Sequence, residues 1–375
     1  MSWLLPPLEP HFDAALRDVT AQGMEARVAA ARRLARPDNE RRLDEARAGL
    51  RRLLDDPAAA VRAAALDSLS NIGASDDHSR ALSLLDDSHA LVREWAVIAL
   101  AAIEHPERNA ELRNALNHPA PEVRFQALQA CTQHSAETVT ADALALSRDD
   151  DPKVREAAAR ALGAEPDPSG PAHARLRALL SDPVPEVAWE SAIALSPLEV
   201  DAALPMLVAG LQQPARVLDS LDGLAHYSNA QARTIVAQLA QSWFKSPLVV
   251  AAAGRALLAM GDRQSGVAAL RRALRALRSD GRNHALETVA RAQVNELGAE
   301  LRGLARFPRG ADGELLVDAL GAIAKDSPAA RAGLTILARR RSPWSTTAAA
   351  VLARLTSRTA SHDDAPSDTK KPILP

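Results

Sequence analysis

The chain has 375 residues, a formal net charge of −2, 47% hydrophobic residues and only 3% aromatic residues. One quarter of the residues are charged, and with this apolar content the composition excludes a largely disordered chain. The single cysteine excludes an intramolecular disulfide and a site built from several thiolates. The near-neutral charge gives no global signal for nucleic acid or membrane, and abundant alanine with few aromatic residues favours closely packed helices.

The N-terminal segment shows no targeting signal. Residues 1–8 lack a basic region and a long apolar run, and prolines interrupt them. No later segment approaches the roughly 18 uninterrupted apolar residues of a transmembrane helix. We therefore expect a cytoplasmic protein without membrane contact, in which residues 1–39 form N-terminal capping helices.

Residues 40–197 contain one motif five times. Its valine stands at positions 61, 92, 123, 154 and 187, so the steps are 31, 31, 31 and 33 residues. Apolar residues follow at i+4, i+7 and i+8, which is one face of a helix. Asp-Pro pairs before the valine provide a helix cap and a proline at the first helical position. A second amphipathic segment precedes each cap, so each repeat is predicted to be two helices joined by a tight turn.

The repeat register weakens after residue 197. Residues 198–357 keep apolar positions at helical spacing behind turn residues such as Ser246-Pro247 and Asp280-Gly281. We count roughly eleven helical hairpins along the chain, which predicts an all-α fold, an α-solenoid of stacked pairs. Residues 358–375 are rich in Ser, Asp, Pro and Lys and are predicted to be a disordered tail.

The runs of Asp-Pro-x-x-x-Val-Arg-x-x-Ala-x-x-Ala-Leu resemble the HEAT repeat family, in the short bacterial form first noted in phycobilin lyases. The resemblance implies an armadillo/HEAT-like superhelix in which the turn Asp and the following Arg form a hydrogen-bonded ladder between repeats. His118 replaces the Asp in one repeat, so the ladder is expected to be weaker there. The residues assigned to the ladder are Asp56, Asp87, Asp151, Asp182, Arg62, Arg93, Arg124 and Arg155.

Few side chains are candidates for binding a partner. Trp95, Phe125 and Trp189 lie beside the core stripe of the second helices, which line the concave face in HEAT proteins. They predict either a partner-binding strip or large side chains that fill gaps between alanine-rich layers. The arginines of the C-terminal region predict either a solvated helix face or a basic patch for an acidic protein, a phosphate or nucleic acid. They include Arg339, Arg340 and Arg341, and a stripe at Arg271, Arg272, Arg275 and Arg278.

No motif in the sequence indicates catalysis. Cys131 occupies the slot of leucines in the other repeats and is therefore predicted to be a core residue. The histidines stand mainly in predicted turns without metal-ligand pairs, and the His-Glu dipeptides of deoxyhypusine hydroxylases are missing. Trp243 and Phe244 stand near a repeat turn and are predicted to pack in the core or at its edge. We expect no catalytic residue, no cofactor and no metal.

The favoured hypothesis is a non-catalytic scaffold that binds an unidentified protein through its concave surface. Two alternatives remain from other classes. One is a nucleic-acid-binding protein similar to the alkylpurine DNA glycosylases, using the arginine-rich C-terminal half. The other is a binder of a tetrapyrrole or another small molecule, similar to the phycobilin lyases, using Trp95, Phe125 and Trp189.

Overall fold

The computed structural model describes residues 11–134, 139–164, 169–307, 313–340 and 343–363, with the side chains of the last segment described to residue 355. Within these residues there are 22 α-helices and no strands, which confirms the predicted all-α solenoid of eleven helical pairs. The chain divides into two compact units, residues 1–194 and 195–375. None of the described helices is both long and apolar enough to cross a membrane.

Unit 1 contains six helical pairs, and the division falls at the end of its last helix. Short 3₁₀ turns, such as Ser75–Asp77, precede or follow some of the first helices. The helices are α1 Phe12–Asp18, α2 Met24–Leu34, α3 Leu43–Leu53, α4 Ala59–Ile72, α5 His78–Ser83, α6 Ala90–Ala102, α7 Arg108–Ala115, α8 Pro121–His134, α9 Thr140–Leu146, α10 Pro152–Leu162, α11 Pro171–Leu179 and α12 Pro185–Leu195.

Unit 2 contains five helical pairs. They are α13 Leu204–Gly210, α14 Val217–Leu224, α15 Ala230–Gln241, α16 Pro247–Ala259, α17 Arg263–Leu274, α18 Ser279–Ala292, α19 Gly298–Arg306, α20 Gly313–Ile323, α21 Pro328–Ala338 and α22 Ser345–Asp363. The predicted disordered tail, 358–375, overlaps the end of α22, and residues 364–375 lie outside the described residues. The boundaries predicted after residues 39, 197 and 357 separate the capping helices, the well-matched repeats, the degenerate repeats and the tail. They stay predictions.

The second helices of successive pairs stack on one another: α2 on α4, α4 on α6, α6 on α8 and α8 on α10. The motif valines Val61, Val92, Val123 and Val154 are fully buried between these layers, as are the alanines one turn later. Alanine lets helix axes approach closely, so each thin layer is filled without aromatic side chains. In α4 a serine takes one core position, and the buried Ser68 hydroxyl lies within hydrogen-bond distance of two carbonyl oxygens, Ala31 O at 2.9 Å and Ala64 O at 2.8 Å.

Cys131 lies in the core of α8 and is buried. Burial raises the pKa of its thiol to about 11, with a smaller contribution from Asp142. A thiol with this pKa is almost entirely protonated at neutral pH and is therefore a poor nucleophile. Cys131 is a packing residue, as the leucines in its slot indicate.

Unit 2 stacks its second helices in the same way, α14 on α16, α16 on α18 and α18 on α20. The motif valine, however, is replaced at the third residue of α18 by Gly281. A Cβ atom at Gly281 would lie 2.4 Å from Pro247 Cβ, at the start of α16. The glycine thus lets two helix starts touch through their backbones.

Candidate interaction surface

Unit 1 contains a continuous ladder of arginine–carboxylate pairs between successive repeats. Each arginine is the fourth residue of a second helix and reaches the turn of the next pair. Arg62 donates from Nε to Asp87 Oδ2 at 2.8 Å and from Nη2 to Oδ1 at 2.7 Å. The other pairs are Arg27–Asp56, Arg93–Glu122, Arg124–Asp149 and Arg155–Asp182.

The third nitrogen of each arginine fixes its own turn. Arg62 Nη1 donates to Asp56 O at 2.8 Å and to Pro57 O at 3.2 Å. The turn aspartates also accept from the backbone, as Asp87 Oδ1 does from the His89 N–H at 2.8 Å. Because the arginine bonds both to its own turn and to a carboxylate of the next repeat, the ladder orders both the turn and the spacing of neighbouring repeats.

One of the residues assigned to the ladder, Asp151, has another role. Arg124 pairs with Asp149 at 2.7 Å, whereas Asp151, the predicted residue, caps α10 by accepting from the Lys153 N–H at 2.8 Å. In the repeat where His118 replaces the Asp, Glu122 Oε1 accepts from Arg93 Nε at 2.8 Å and also from Nη2. The ladder thus continues there through one carboxylate oxygen, and its expected weakening stays a prediction.

His118 makes the hydrogen bond within its own turn that the turn aspartates make, but Glu122 takes over the pairing with Arg93. Its Nδ1 accepts from the Ala120 N–H at 3.1 Å, as the turn aspartates do from the residue two positions on. The sequence reasoning also missed Arg27 at the start of the ladder, because its motif reads Arg-Val rather than Val-Arg. The sequence separation could have identified Arg27. Asp56 lies 29 residues after Arg27, and Glu122 lies 29 residues after Arg93.

The ladder carboxylates are partly shielded from water. Burial alone would raise the pKa of Asp149, but hydrogen bonds from Arg124 and from the Asp151 N–H, together with the Arg124 charge, outweigh it and lower that pKa. The same balance lowers the pKa of each of the other carboxylates: Asp56, Asp87, Glu122 and Asp182. The charged forms are therefore favoured by the folded state.

This balance predicts acid destabilisation of unit 1. A carboxylate with a folded pKa below its unfolded value stabilises the fold above the unfolded value, about pH 4 for Asp and Glu. The stabilisation is lost as the pH falls through the folded pKa. We expect the unfolding temperature, followed by circular dichroism, to fall steeply below about pH 4. A chain with both Arg124→Met and Asp149→Asn should lose less on acidification, and an identical decline in both chains would contradict the prediction.

Unit 2 has an arginine at the ladder position without the carboxylate. Arg282 is the fourth residue of α18, and its Nη1 donates to Ala276 O and, at 3.2 Å, to Leu277 O. These bonds repeat those of Arg62 to its own turn. Arg282 is only 3% exposed, its Nε makes no hydrogen bond, and no carboxylate of the described residues pairs with it.

The turns of unit 2 also differ in their apolar exposure. We define the apolar turn row as Trp243, Phe244, Leu277 and Phe307, which follow α15, α17 and α19, the first helices of three successive pairs. Their exposed fractions are 88%, 99%, 85% and 71%. The prediction that Trp243 and Phe244 pack in the core or at its edge is therefore wrong. The corresponding turns of unit 1 contain Asp, His and Pro instead.

Two cavities open beside the apolar turn row. One, of about 620 Å³, is lined by Trp243, Ala237 and Arg272, and the Arg272 guanidinium carbon lies 5.4 Å from the Trp243 ring centroid. The other, of about 460 Å³, is lined by Leu277, Phe307 and Arg282 among others. Each combines an exposed apolar side chain with an arginine, which is typical of surfaces that bind peptide segments.

The predicted aromatic strip is interrupted. Trp95 and Phe125 are half-buried on α6 and α8. Trp189 on α12 is only 8% exposed, so it offers little surface to a partner. Of the C-terminal arginines, Arg339 and Arg340 are exposed, and Arg341 lies outside the described residues.

The predicted basic stripe begins on α17, continues into the turn that follows it, and is partly paired. Arg271 donates to Glu300 at 2.6 Å, and Arg275 lies 3.7 Å from the same carboxylate. Arg272 donates to Ala240 O at 3.0 Å and to Ser242 O at 2.9 Å. The contacts of Arg271 and Arg272 reduce the positive surface that nucleic acid would meet, whereas Arg275 stays 71% exposed.

One polar cluster was not predicted by the sequence. His78, His105 and Glu111 bring potential ligand atoms within 4.8 Å of one another. The two rings are stacked, with centroids 3.8 Å apart and planes at 15°, and His78 Nε2 lies 2.9 Å from Glu111 Oε2. Ring nitrogens bind a metal in the ring plane, so two nearly parallel rings do not direct lone pairs at one ion. Burial lowers the pKa of His78, so at neutral pH the ring is neutral and its contact with Glu111 is not an ion pair.

Comparison with known proteins agrees with the stacked helical pairs. The family model for HEAT repeats matches residues 14–101, 79–162 and 140–221, which together span more than half of the chain. The chain belongs to the HEAT repeat family. A search of curated proteins finds no match to this chain.

Several solved structures are similar to this HEAT-repeat protein. Importin β has 15% identity and a TM-score of 0.52, covering 93% of this chain and 60% of its own. YibA from E. coli has 18% identity and a TM-score of 0.42, covering 77% of this chain and 98% of its own. Human deoxyhypusine hydroxylase has 19% identity and a TM-score of 0.29, covering 67% and 96%. At 15% identity the likeness to importin β shows the fold alone.

Proposed function

We propose that this HEAT-repeat protein is a non-catalytic scaffold that binds another protein through the apolar turn row of unit 2. The observation that supports it is the exposure of four large apolar side chains at equivalent turns of three successive pairs. Solvent-exposed Trp, Phe and Leu in one row are unusual for a surface that faces only water.

Burial of these four side chains favours association. Removing one large apolar side chain from water stabilises a complex by roughly 1.5–3 kcal/mol before the costs of association are subtracted. Trp and Phe are among the residues enriched at the centres of interfaces. Arg282, in the cavity lined by Leu277 and Phe307, supplies a donor that gives direction to the contact.

The position of this surface differs from the one predicted from sequence. The second-helix strip contains a buried tryptophan, Trp189, so it provides less apolar surface than the turn row. Trp95, Phe125 and the exposed Arg339 and Arg340 stay proposed as secondary contacts. The small-molecule alternative depends on the same strip and is weakened with it. The nucleic-acid alternative is weakened by the pairing of Arg271 and Arg275 with Glu300.

The test compares the natural chain with a turn-row variant in which Trp243, Phe244, Leu277 and Phe307 are all changed to Ser. Immobilised chains are exposed to lysate of the source organism, and retained proteins are quantified by mass spectrometry. We expect a stoichiometric protein partner that the turn-row variant retains at least tenfold less. In the purified complex, Trp243→Ala alone should weaken affinity by about 2 kcal/mol or more.

The matched control changes the exposed apolar residues of unit 1, Met24 and Leu91, to Ser. This control should retain the partner fully. Equal retention by the turn-row variant would contradict the proposed surface. Salt-dependent retention of random DNA at about 50 mM salt, without a protein partner, would favour the nucleic-acid alternative instead.

A further inference from the structure

Arg282 is a buried arginine of unit 2. It has the geometry of the ladder arginines of unit 1 but no carboxylate partner among the described residues. In unit 1 each ladder arginine uses Nη1 for the carbonyl oxygens of its own turn and Nε with Nη2 for a carboxylate. Arg282 keeps the carbonyl bonds through Nη1, so its guanidinium is held in the same orientation. The edge formed by Nε and Nη2 is thus oriented to donate to a carboxylate.

A buried guanidinium without an anion is costly. Desolvation of a charged group is offset only when hydrogen bonds and an opposite charge replace water. The carbonyl bonds replace part of that water, but the Nε–H of Arg282 has no acceptor. Five equivalent arginines of unit 1 each have a carboxylate at this edge. The Nε–H of Arg282, which lacks an acceptor, therefore indicates a ligand that supplies the carboxylate.

The cavity beside Arg282 fits such a ligand. Its volume is about 460 Å³, and its lining includes Leu277 and Phe307, which are exposed, and Leu274 and Leu304. The charged groups in the lining are Arg275, Arg282 and Glu300. Glu300 is engaged by Arg271 and Arg275, so the excess charge that an incoming group meets is the positive charge of Arg282.

We propose that this cavity binds a peptide segment of the protein partner in which an Asp or Glu stands next to a large apolar residue. The carboxylate accepts from the Nε and Nη2 of Arg282 and completes the ladder in trans. The apolar neighbour packs on Leu277 and Phe307. This inference rests on the proposed function, since the same turn row carries the apolar part of the contact.

The experiment selects peptides from a random display library on the full chain. Selected peptides are then synthesised in two forms, one with the acid and one with the corresponding amide, and their dissociation constants are measured by fluorescence anisotropy. We expect an Asp or Glu beside Leu, Ile, Phe or Trp in the selected sequences. The amide form should bind the natural chain at least tenfold more weakly.

Two arginine variants locate the effect. Arg282→Lys keeps the charge but loses the two-donor edge, so the acid-to-amide difference should shrink to about threefold or less. Arg278→Lys changes an exposed arginine one helical turn earlier and should leave the difference at tenfold or more. The acid-to-amide change is made in the peptide, so it tests the proposal even if Arg282→Lys folds poorly.

The outcomes separate this inference from the proposed function. Peptides that need Trp243, Leu277 or Phe307 but show no acid preference would overturn the inference and leave the proposed function standing. If no peptide depends on the turn row, both are overturned. Asp312 is the one acid among residues 308–312, which follow Phe307. Unchanged peptide affinity after Asp312→Asn supports the inference, whereas tighter binding would mean that the chain itself supplies the acid and would overturn it.

Discussion

Arg124→Met should lower the free energy of unfolding by about 3–5 kcal/mol, the usual cost of removing one partner of a buried ion pair. Asp149 is largely buried and accepts from Arg124 Nε at 2.7 Å and Nη2 at 2.6 Å. Without the guanidinium this carboxylate stays desolvated and uncompensated. The turn also loses the bonds from Nη1 to His118 O and Pro119 O. Urea denaturation followed by circular dichroism measures the change.

A double-mutant cycle distinguishes the ion pair from simple loss of packing. Asp149→Asn alone should also destabilise the chain, while the double variant should cost less than the sum of the two single variants. Arg177→Met, on an exposed arginine of α11, is the matched control and should change stability by no more than about 0.5 kcal/mol. Additive effects across the cycle would contradict the role given to the ladder.

Gly281→Ala should destabilise unit 2 by about 2 kcal/mol, although alanine is normally the better helix residue. The added Cβ would lie 2.4 Å from Pro247 Cβ, 2.5 Å from its carbonyl carbon and 2.7 Å from its carbonyl oxygen. Backbone atoms cannot rotate away, so α18 and α16 have to separate, and overpacking of this kind costs about 1–3 kcal/mol. Thermal and urea unfolding of the full chain measure the loss.

Gly303 is the matched control, because a Cβ at that position in α19 meets no atom within 4 Å. Gly303→Ala should stabilise the chain by about 0.5–1 kcal/mol through helix propensity. The two variants make the same chemical change, so their opposite signs isolate the contact with Pro247. A stabilising Gly281→Ala would show that the two helix starts have room to move.

The helices and their core faces could be predicted from the sequence because helical periodicity is local. Val61, Val92 and Val123 are buried in the structure as their spacing indicates, since residues four apart share a face wherever the helix packs. Asp149 could also have been found, because it lies 31 residues beyond His118 and 62 beyond Asp87. The Asp-Pro pair at residues 151–152 instead indicated Asp151 as the ladder residue.

The difference between Asp149 and Asp151 arises from where the helices begin. Pro57 lies two residues before α4, whereas Pro152 is the first residue of α10. Asp151 is therefore the helix cap, and Asp149 takes the turn position that faces Arg124. An Asp-Pro pair fits either position, so the sequence motif alone does not distinguish them.

The sequence by itself determined the repeating helical pairs, the alanine-rich seams and the buried Cys131, because each follows from spacing within one helix. Only the tertiary structure decided which side chains face water. Trp243 and Phe244 are as apolar as any core residue, yet no layer of unit 2 covers them, and coverage depends on residues far along the chain. The missing carboxylate of Arg282 was likewise decided by the tertiary structure. In unit 1 each ion pair between repeats joins residues 25 to 29 positions apart in the sequence. Which carboxylate comes within reach of the arginine depends on how the two repeats pack.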